Sequence, residues 1–225
     1  MKKFLSIDWD FFIDADFDQR SLLFPDGGDE NSSLSKYIWD SLYRNPELTK
    51  VGVSDYGTLL TILNNFSGQC YFADSHRYAY DFIMDRTSPD EEFEVYNIDF
   101  HHDLYNYRTG NERVNCGNWG TILREDRPNM KFIWVKKPDS DPMTIGNFEV
   151  DCDMWDIEQF REYIKHNPDF DFLYMCRSSI WSPPHLDKYF IRALRTLKSH
   201  NINWSEEDVV INLPRIFEVS PDFTE

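Results

Sequence analysis

Short apolar runs of strand length alternate along this chain with stretches of helical period, and no other feature of the sequence restricts its fold as much. Phe4–Ile7, Cys70–Phe72, Phe93–Ile98, Lys131–Val135 and Phe170–Met175 read as strands from their aromatic and branched content. Leu34–Leu42, Leu59–Leu63, His76–Met84, a segment starting at Gly120–Leu123, Phe160–Ile164 and Leu186–Leu197 place apolar residues at helical spacing. Strands separated by helices predict an α/β fold built on a largely parallel sheet. Proline-bearing stretches at Lys136–Met143 and Trp181–Pro184 read as loops, and the tail beyond Asn201 has little period. With no repeat and no low-complexity segment, residues 1–225 are expected to form a single domain.

A chain of 225 residues buries enough surface to fold without a disulfide or a structural metal. Its 40 Asp+Glu against 23 Lys+Arg give a formal charge of −17. That charge repels phosphate backbones, which argues against nucleic acid, and it suits a cationic partner or metal ions. No run approaches the ~20 apolar residues a membrane span needs, so no membrane role is expected. The opening Met1–Leu5 reaches Asp8 too soon for a signal peptide. Cys70, Cys116, Cys152 and Cys176 lie far apart with no CxxC, the usage of reduced thiols in a cytoplasm. The 16% aromatic content points to packing or to a peptide-contacting surface.

Ligands in open α/β sheets collect at the carboxyl ends of strands, and three predicted strands end in groups that bind metals. The strand Glu94–Ile98 runs into Asp99-Phe100-His101-His102-Asp103. In an extended segment Asp99, His101 and Asp103 share a face, while Phe100 and His102 point away. Two carboxylates and an imidazole on one spot suit a Mn²⁺- or Zn²⁺-type ion. Composition alone would produce D-x-H-x-D roughly 0.08 times in such a chain, so the pattern is informative. D-x-D is weaker, because it occurs six times in this aspartate-rich sequence. Asp8/Asp10 stands out, since Phe4–Ile7 precedes it and Phe11–Ile13 follows, and carboxylates in so apolar a stretch are costly to bury unless paired or metal-bound. Its rival, Asp151/Asp153, follows the alternating Asn147–Val150, and Asp153 has an ordinary role open to it as a helix N-cap. Burial favours Asp8/Asp10. The third segment, Tyr71–His76, brings one histidine to a strand end. Alone, such a histidine is more often structural than a ligand.

Together, Ala73-Asp74-Ser75-His76, Asp99-Phe100-His101-His102-Asp103 and an apolar strand ending in Asp8-Trp9-Asp10 resemble the ureohydrolase (arginase and agmatinase) superfamily. Within it, Leu5–Phe12 and the short chain are most similar to the peptide arginases, which act on arginine side chains of ribosomally made precursor peptides. Asn115–Trp119 and Met175–Ser179 look similar to that branch more loosely. Phe72 and Ala73 stand where the family carries glycines before its first histidine. The resemblance implies a three-layer arginase-like α/β fold with a mainly parallel sheet. With Asp8/Asp10 as the pair, chain order is circularly permuted relative to common arginases; with Asp151/Asp153, it is kept.

By the family pattern, His76, Asp99, Asp103 and Asp8 hold one Mn²⁺, and His101, Asp99, Asp8 and Asp10 hold a second. The two ions share a hydroxide that attacks the guanidinium carbon, and Asp103 passes a proton to the departing amine, giving urea and an ornithine side chain. Asp99 and Asp103 are thus the implied catalytic carboxylates. Asp14, Asp16 and Asp18 are candidates to pair with the substrate guanidinium, and Arg177 and Ser178 to contact a peptide. His102 is expected to be structural, and His185 to start a helix. Three other classes remain open: a free-arginine or agmatine hydrolase, a one-zinc deacetylase of the same fold, and a non-catalytic acidic module that binds basic peptides by charge.

Overall fold

Every hydrogen-bonded neighbour in the main sheet runs parallel, as the strand–helix alternation predicts. The structure, a computed structural model, describes residues 1–25, 35–106, 113–140, 152–167, 169–197 and 202–204. The first half comprises β1 (Lys2–Asp8), β2 (Ile13–Asp14), α1 (Phe17–Leu23), α2 (Ser35–Leu42), β3 (Gly52–Val53), α3 (Tyr56–Asn65), β4 (Gln69–Ala73) and α4 (Tyr78–Met84). The second comprises β5 (Phe93–Ile98), α5 (Trp119–Asp126), β6 (Met130–Lys136), β7 (Asp153–Asp156), α6 (Ile157–His166), β8 (Phe172–Cys176), α7 (Asp187–Leu194) and β9 (Ile202–Trp204). Seven strands form one sheet in the order β7-β6-β5-β1-β8-β4-β9, and β2 and β3 make a small antiparallel ribbon.

The pleat sorts the strand residues into two apolar layers. Leu5, Ile7, Tyr96, Ile98, Ile133, Val135, Leu173 and Met175 pack with Leu59 and Leu63 of α3, Phe160 of α6 and Phe190 of α7. Their alternates Phe4, Phe93, Val95, Phe132, Trp134 and Tyr174 pack with Phe82 and Ile83 of α4 and Trp119 and Leu123 of α5. Helices therefore cover both faces, which is why the strands read as near-continuous apolar runs. Among the described residues, no helix is long and apolar enough to cross a membrane.

Two readings of the sequence are corrected. The tail beyond Asn201 contributes β9, which pairs with β4 through Cys70↔Ile202 and Phe72↔Trp204; three residues are too few to show a period. Asp153 is not a helix cap: it opens β7, is exposed and pairs with Lys131 at 2.8 Å, while the cap of α6 is Asp156, in a reciprocal capping box with Gln159. Asp151 and Asn147–Val150 lie outside the described residues.

Because the strands are parallel, all their carboxyl ends meet one edge of the sheet. β1 lies between β5 and β8, in register Ile7↔Ile98 and Asp8↔Cys176. Asp8 thus emerges between the segments that follow β5 and β8, with the end of β4 one strand further on.

Candidate metal centre

Four strand ends build the site, each by a local device. Asp8 closes β1 and caps a 3₁₀ turn over Trp9–Phe12, its Oδ1 accepting the Asp10 N–H at 3.0 Å. Trp9, Phe11 and Phe12 are fully buried, so the turn anchors itself and carries Asp10 inward. After β4, Ser75 is fixed through its carbonyl by the Tyr174 hydroxyl, and the ring of His76 stacks parallel on Tyr174 at 5.7 Å. After β8, Ser178 takes a left-handed conformation (φ 50°) and donates from Oγ to Asp8 Oδ2 at 2.6 Å.

The segment after β5 brings its ligands together by a route other than the expected one. The chain leaves the extended conformation after Ile98, so pleat alternation does not align Asp99, His101 and Asp103. Instead the His101 N–H folds back onto Asp99 Oδ1 at 2.9 Å, and Asp103 adopts φ 55°. Non-glycine residues rarely sit there, and aspartate is among those that tolerate it best. His102 turns away as expected, accepting the Leu104 N–H at Nδ1 and stacking on Tyr105.

All six residues expected as ligands converge. His76 Nδ1 lies 2.9 Å from Asp103 Oδ2, 3.1 Å from Asp99 Oδ2 and 3.4 Å from Asp8 Oδ2. His101 Nδ1 lies 3.3 Å from Asp10 Oδ2 and 3.8 Å from Asp99 Oδ1. Asp99 therefore offers one oxygen to each histidine and joins two half-sites, His76–Asp99–Asp103 and Asp10–Asp99–His101. Asp8 falls with His76, alongside Cys176. His76 is 1% exposed, while the His101 side chain keeps 27%, so one half-site is deep and the other partly exposed, beside Trp181.

Carboxylates and imidazoles buried this closely shift one another's protonation. Burial and the nearby Asp10 and Asp99 push Asp8 up to about 6, against the opposing pull of His76. Burial and Asp103 push Asp99 up to about 7. Burial opposes a charge on either histidine, but the surrounding aspartates overcome it, lifting His101 to about 9 and His76 well above its ordinary value. Asp10 moves down despite its burial, through its hydrogen bond to His101.

The donor set fits divalent cations. Among the described residues, Asp10 Oδ1 and His76 Nδ1 are buried without a hydrogen-bond partner, although more than nine in ten such atoms are normally satisfied. His76 Nε2 lies 2.6 Å from Ser6 Oγ. With Nε2 donating its proton to Ser6, Nδ1 would serve a cation that displaces the proton the three carboxylates otherwise hold on the ring. Hard oxygens with two imidazoles accept Mn²⁺, Fe²⁺ and Co²⁺ alike.

The residues expected to contact substrate have the following places in the fold. Asp16 caps α1 in a capping box with Gln19, Asp18 lies in the exposed first turn of that helix, and Asp14 is exposed in β2. Arg177 is buried, with Nε 2.9 Å from Asp74 and Nη1 3.5 Å from Asp187, so its guanidinium braces the β4 and β8 ends to α7. Ser178 serves Asp8, as above. His185 sits in a short 3₁₀ turn between Tyr43 and the Val51 carbonyl.

Four contributors escaped the sequence reading: Ser6, Arg20, Trp119 and Cys176. Trp119 Nε1 donates to Asp103 Oδ2 at 2.6 Å. It is delivered by the Asn115–Asn118 turn, in which Asn118 Oδ1 accepts the Asn115 N–H and Asn115 Oδ1 accepts the Gly117 N–H. The Cys176 thiol, raised well above its ordinary value by burial and Asp8, contacts Ser178 Oγ. The one sequence signal for either was the looser likeness of Asn115–Trp119 and Met175–Ser179 to the peptide arginases. No protein-family model, curated protein or solved structure matches the chain.

Proposed function

We propose that this protein is a manganese-dependent hydrolase that converts arginine side chains of a peptide to ornithine and urea. The observation that carries the reading is the buried six-residue cluster in which Asp99 is shared between His76 and His101. In this reading His76, Asp8, Asp99 and Asp103 hold the inner ion, and His101, Asp10, Asp99 and Asp8 the outer. Two such ions supply Lewis acidity and an activated water near neutral pH, which a resonance-stabilised guanidinium requires. The four carboxylates balance two dications, so a cationic side chain meets no net repulsion there, and the chain's charge of −17 favours its approach. Trp181, 5.5 Å from His101 between ring centres, offers an aromatic face to the arriving guanidinium. Asp103, oriented by Trp119, would take up the proton released by the attacking water and pass it to the departing ornithine nitrogen. The same reading makes the fold arginase-like and circularly permuted, with the D-x-D strand first in the chain and central in the sheet.

The test combines metal analysis with urea release. Asp8→Ala and Asp99→Ala should lose metal, and Asp153→Ala, far out on β7, should keep it. Chelator-treated protein should release no urea from an arginine-containing peptide until Mn²⁺ is restored. Turnover of free arginine or agmatine instead would move the substrate assignment. Asp10→Ala and His76→Ala variants that keep activity would point to a single-zinc deacetylase. Salt-sensitive peptide binding without metal and without urea would leave only an acidic binding module.

A further inference from the structure

Resting on the two-ion reading above, we propose that Arg20 is a positioning residue for the outer ion, and that the two ion positions are unequal because of it. Arg20 lies on α1 and is 93% buried, since its relative exposure is 7%. Its guanidinium makes an unusually complete set of contacts. Nη1 meets Asp10 Oδ2 at 3.3 Å, Nη2 donates to the carbonyls of Asp10 (2.7 Å) and Ile13 (3.3 Å), and Nε donates to the carbonyl of Ala15 (3.0 Å). The guanidinium plane also covers the ring of Phe100 at 3.7 Å.

These contacts fasten together the two segments that supply the outer half-site. Asp10 belongs to the turn after β1, and Phe100 sits between Asp99 and His101 after β5. With Oδ2 held by Arg20, Asp10 presents its remaining oxygen, Oδ1, which is buried and has no hydrogen-bond partner among the described residues. A planar fork does this where a point charge would not, because the same group must reach a carboxylate, three carbonyls and an aromatic face at once. The inner half-site has its own supports: Ser6 on His76, Ser178 on Asp8 and Trp119 on Asp103. Loss of Arg20 should therefore be felt on one side of the pair. Groups that orient metal ligands change affinity by about 10- to 100-fold when removed.

The experiment is a Mn²⁺ titration of the full chain, read by equilibrium binding and electron paramagnetic resonance. Wild-type protein should fill two positions and show the spectrum of an exchange-coupled pair. Arg20→Met should keep the inner ion at unchanged affinity, bind the outer one about 10- to 100-fold more weakly, and show isolated Mn²⁺ at concentrations that fill the wild type. Arg20→Lys keeps the charge and should fall between the two. A spectrum that changes from coupled to isolated ions is something general destabilisation would not produce. Two ions bound to Arg20→Met with wild-type affinity, equal weakening of both in folded variant, or a wild-type protein that takes a single ion would each overturn the proposal. Should Arg20→Met fail to fold by circular dichroism, Arg20→Lys decides alone, and wild-type-like binding by it refutes the positioning role. A protein that binds two ions yet releases no urea would refute the guanidino-hydrolase reading and leave this one standing.

Discussion

Ser6→Ala is the sharpest probe of how the deep half-site is tuned. Ser6 is fully buried in the middle of the sheet, and its Oγ lies 2.6 Å from His76 Nε2, 70 residues away in the chain. If Nε2 donates its proton to this hydroxyl, Nδ1 is the nitrogen turned to Asp8, Asp99 and Asp103 and available to an ion. Removing it strands a buried N–H at a cost of about 1–3 kcal/mol. The tautomer that hides that proton then competes with the metal-binding one. A loss of about 10- to 100-fold in metal affinity is typical for such partners, equivalent to about 1.4–2.7 kcal/mol and in line with the desolvation cost. The assay is calorimetric titration of metal-free protein with Mn²⁺ at pH 7.5, comparing wild type, Ser6→Ala and Ser6→Thr, which restores the hydroxyl. Ser6→Ala should weaken the inner ion by that factor, and Ser6→Thr should recover affinity wherever its methyl is accommodated. Wild-type affinity in Ser6→Ala would show that Nδ1 is not a ligand atom and would undo the tautomer reasoning.

In metal-free protein, Asp8 (about 6), Asp99 (about 7) and His101 (about 9) all stand above their ordinary values of 3.8, 3.8 and 6.5. The folded state therefore holds more protons than the unfolded one between about pH 4 and 9, so stability falls as pH rises through that window. Thermal melts of apoprotein should show this decline, flattened in Asp99→Asn, and Mn²⁺ should raise the melting temperature most at the alkaline end, where its ligands are already deprotonated; a melting temperature that rises with pH in apoprotein would contradict the linkage. Trp119→Phe should cost about 1–3 kcal/mol by removing the donor to Asp103, with Mn²⁺ affinity falling alongside in the same titration. Asp16→Ala should cost about 1 kcal/mol as a lost helix cap and leave Mn²⁺ binding and peptide KM unchanged; a raised KM would return Asp16 to the list of guanidinium contacts.

The elements that carry the site were legible because burial on both faces writes itself into the sequence as apolar runs, each ending in a polar residue at the ligand-bearing edge. Asp8 and Asp10 could be preferred over the other D-x-D pairs for the same reason, and both prove buried while Asp153 is exposed. Asp99, His101 and Asp103 were found through a periodicity that does not operate there: a turn stabilised by Asp99 and the left-handed Asp103 brings them together. Arg20 and Ser6 could not be found this way. Their significance lies in contacts with Phe100 and His76, 80 and 70 residues distant, and nothing in their local sequence marks them. Asp16 carries a local purpose as well, since an aspartate three residues before a glutamine starts a helix.

The place of β1 in the sheet bears on how the protein comes to be made. This strand leaves the ribosome before either of its neighbours, which are drawn from residues 93–98 and 172–176. Until the latter have been synthesised, one flank of the central strand stays without its hydrogen-bonding companion, and Asp8 lacks the Ser178 hydroxyl, which lies 170 residues downstream. Closure over so long a separation is slow compared with local helix formation, and nascent chains in the interval expose an apolar edge. The acidic cluster is consequently complete only once β8 is in place, and chains halted before it should depend on chaperones to remain soluble.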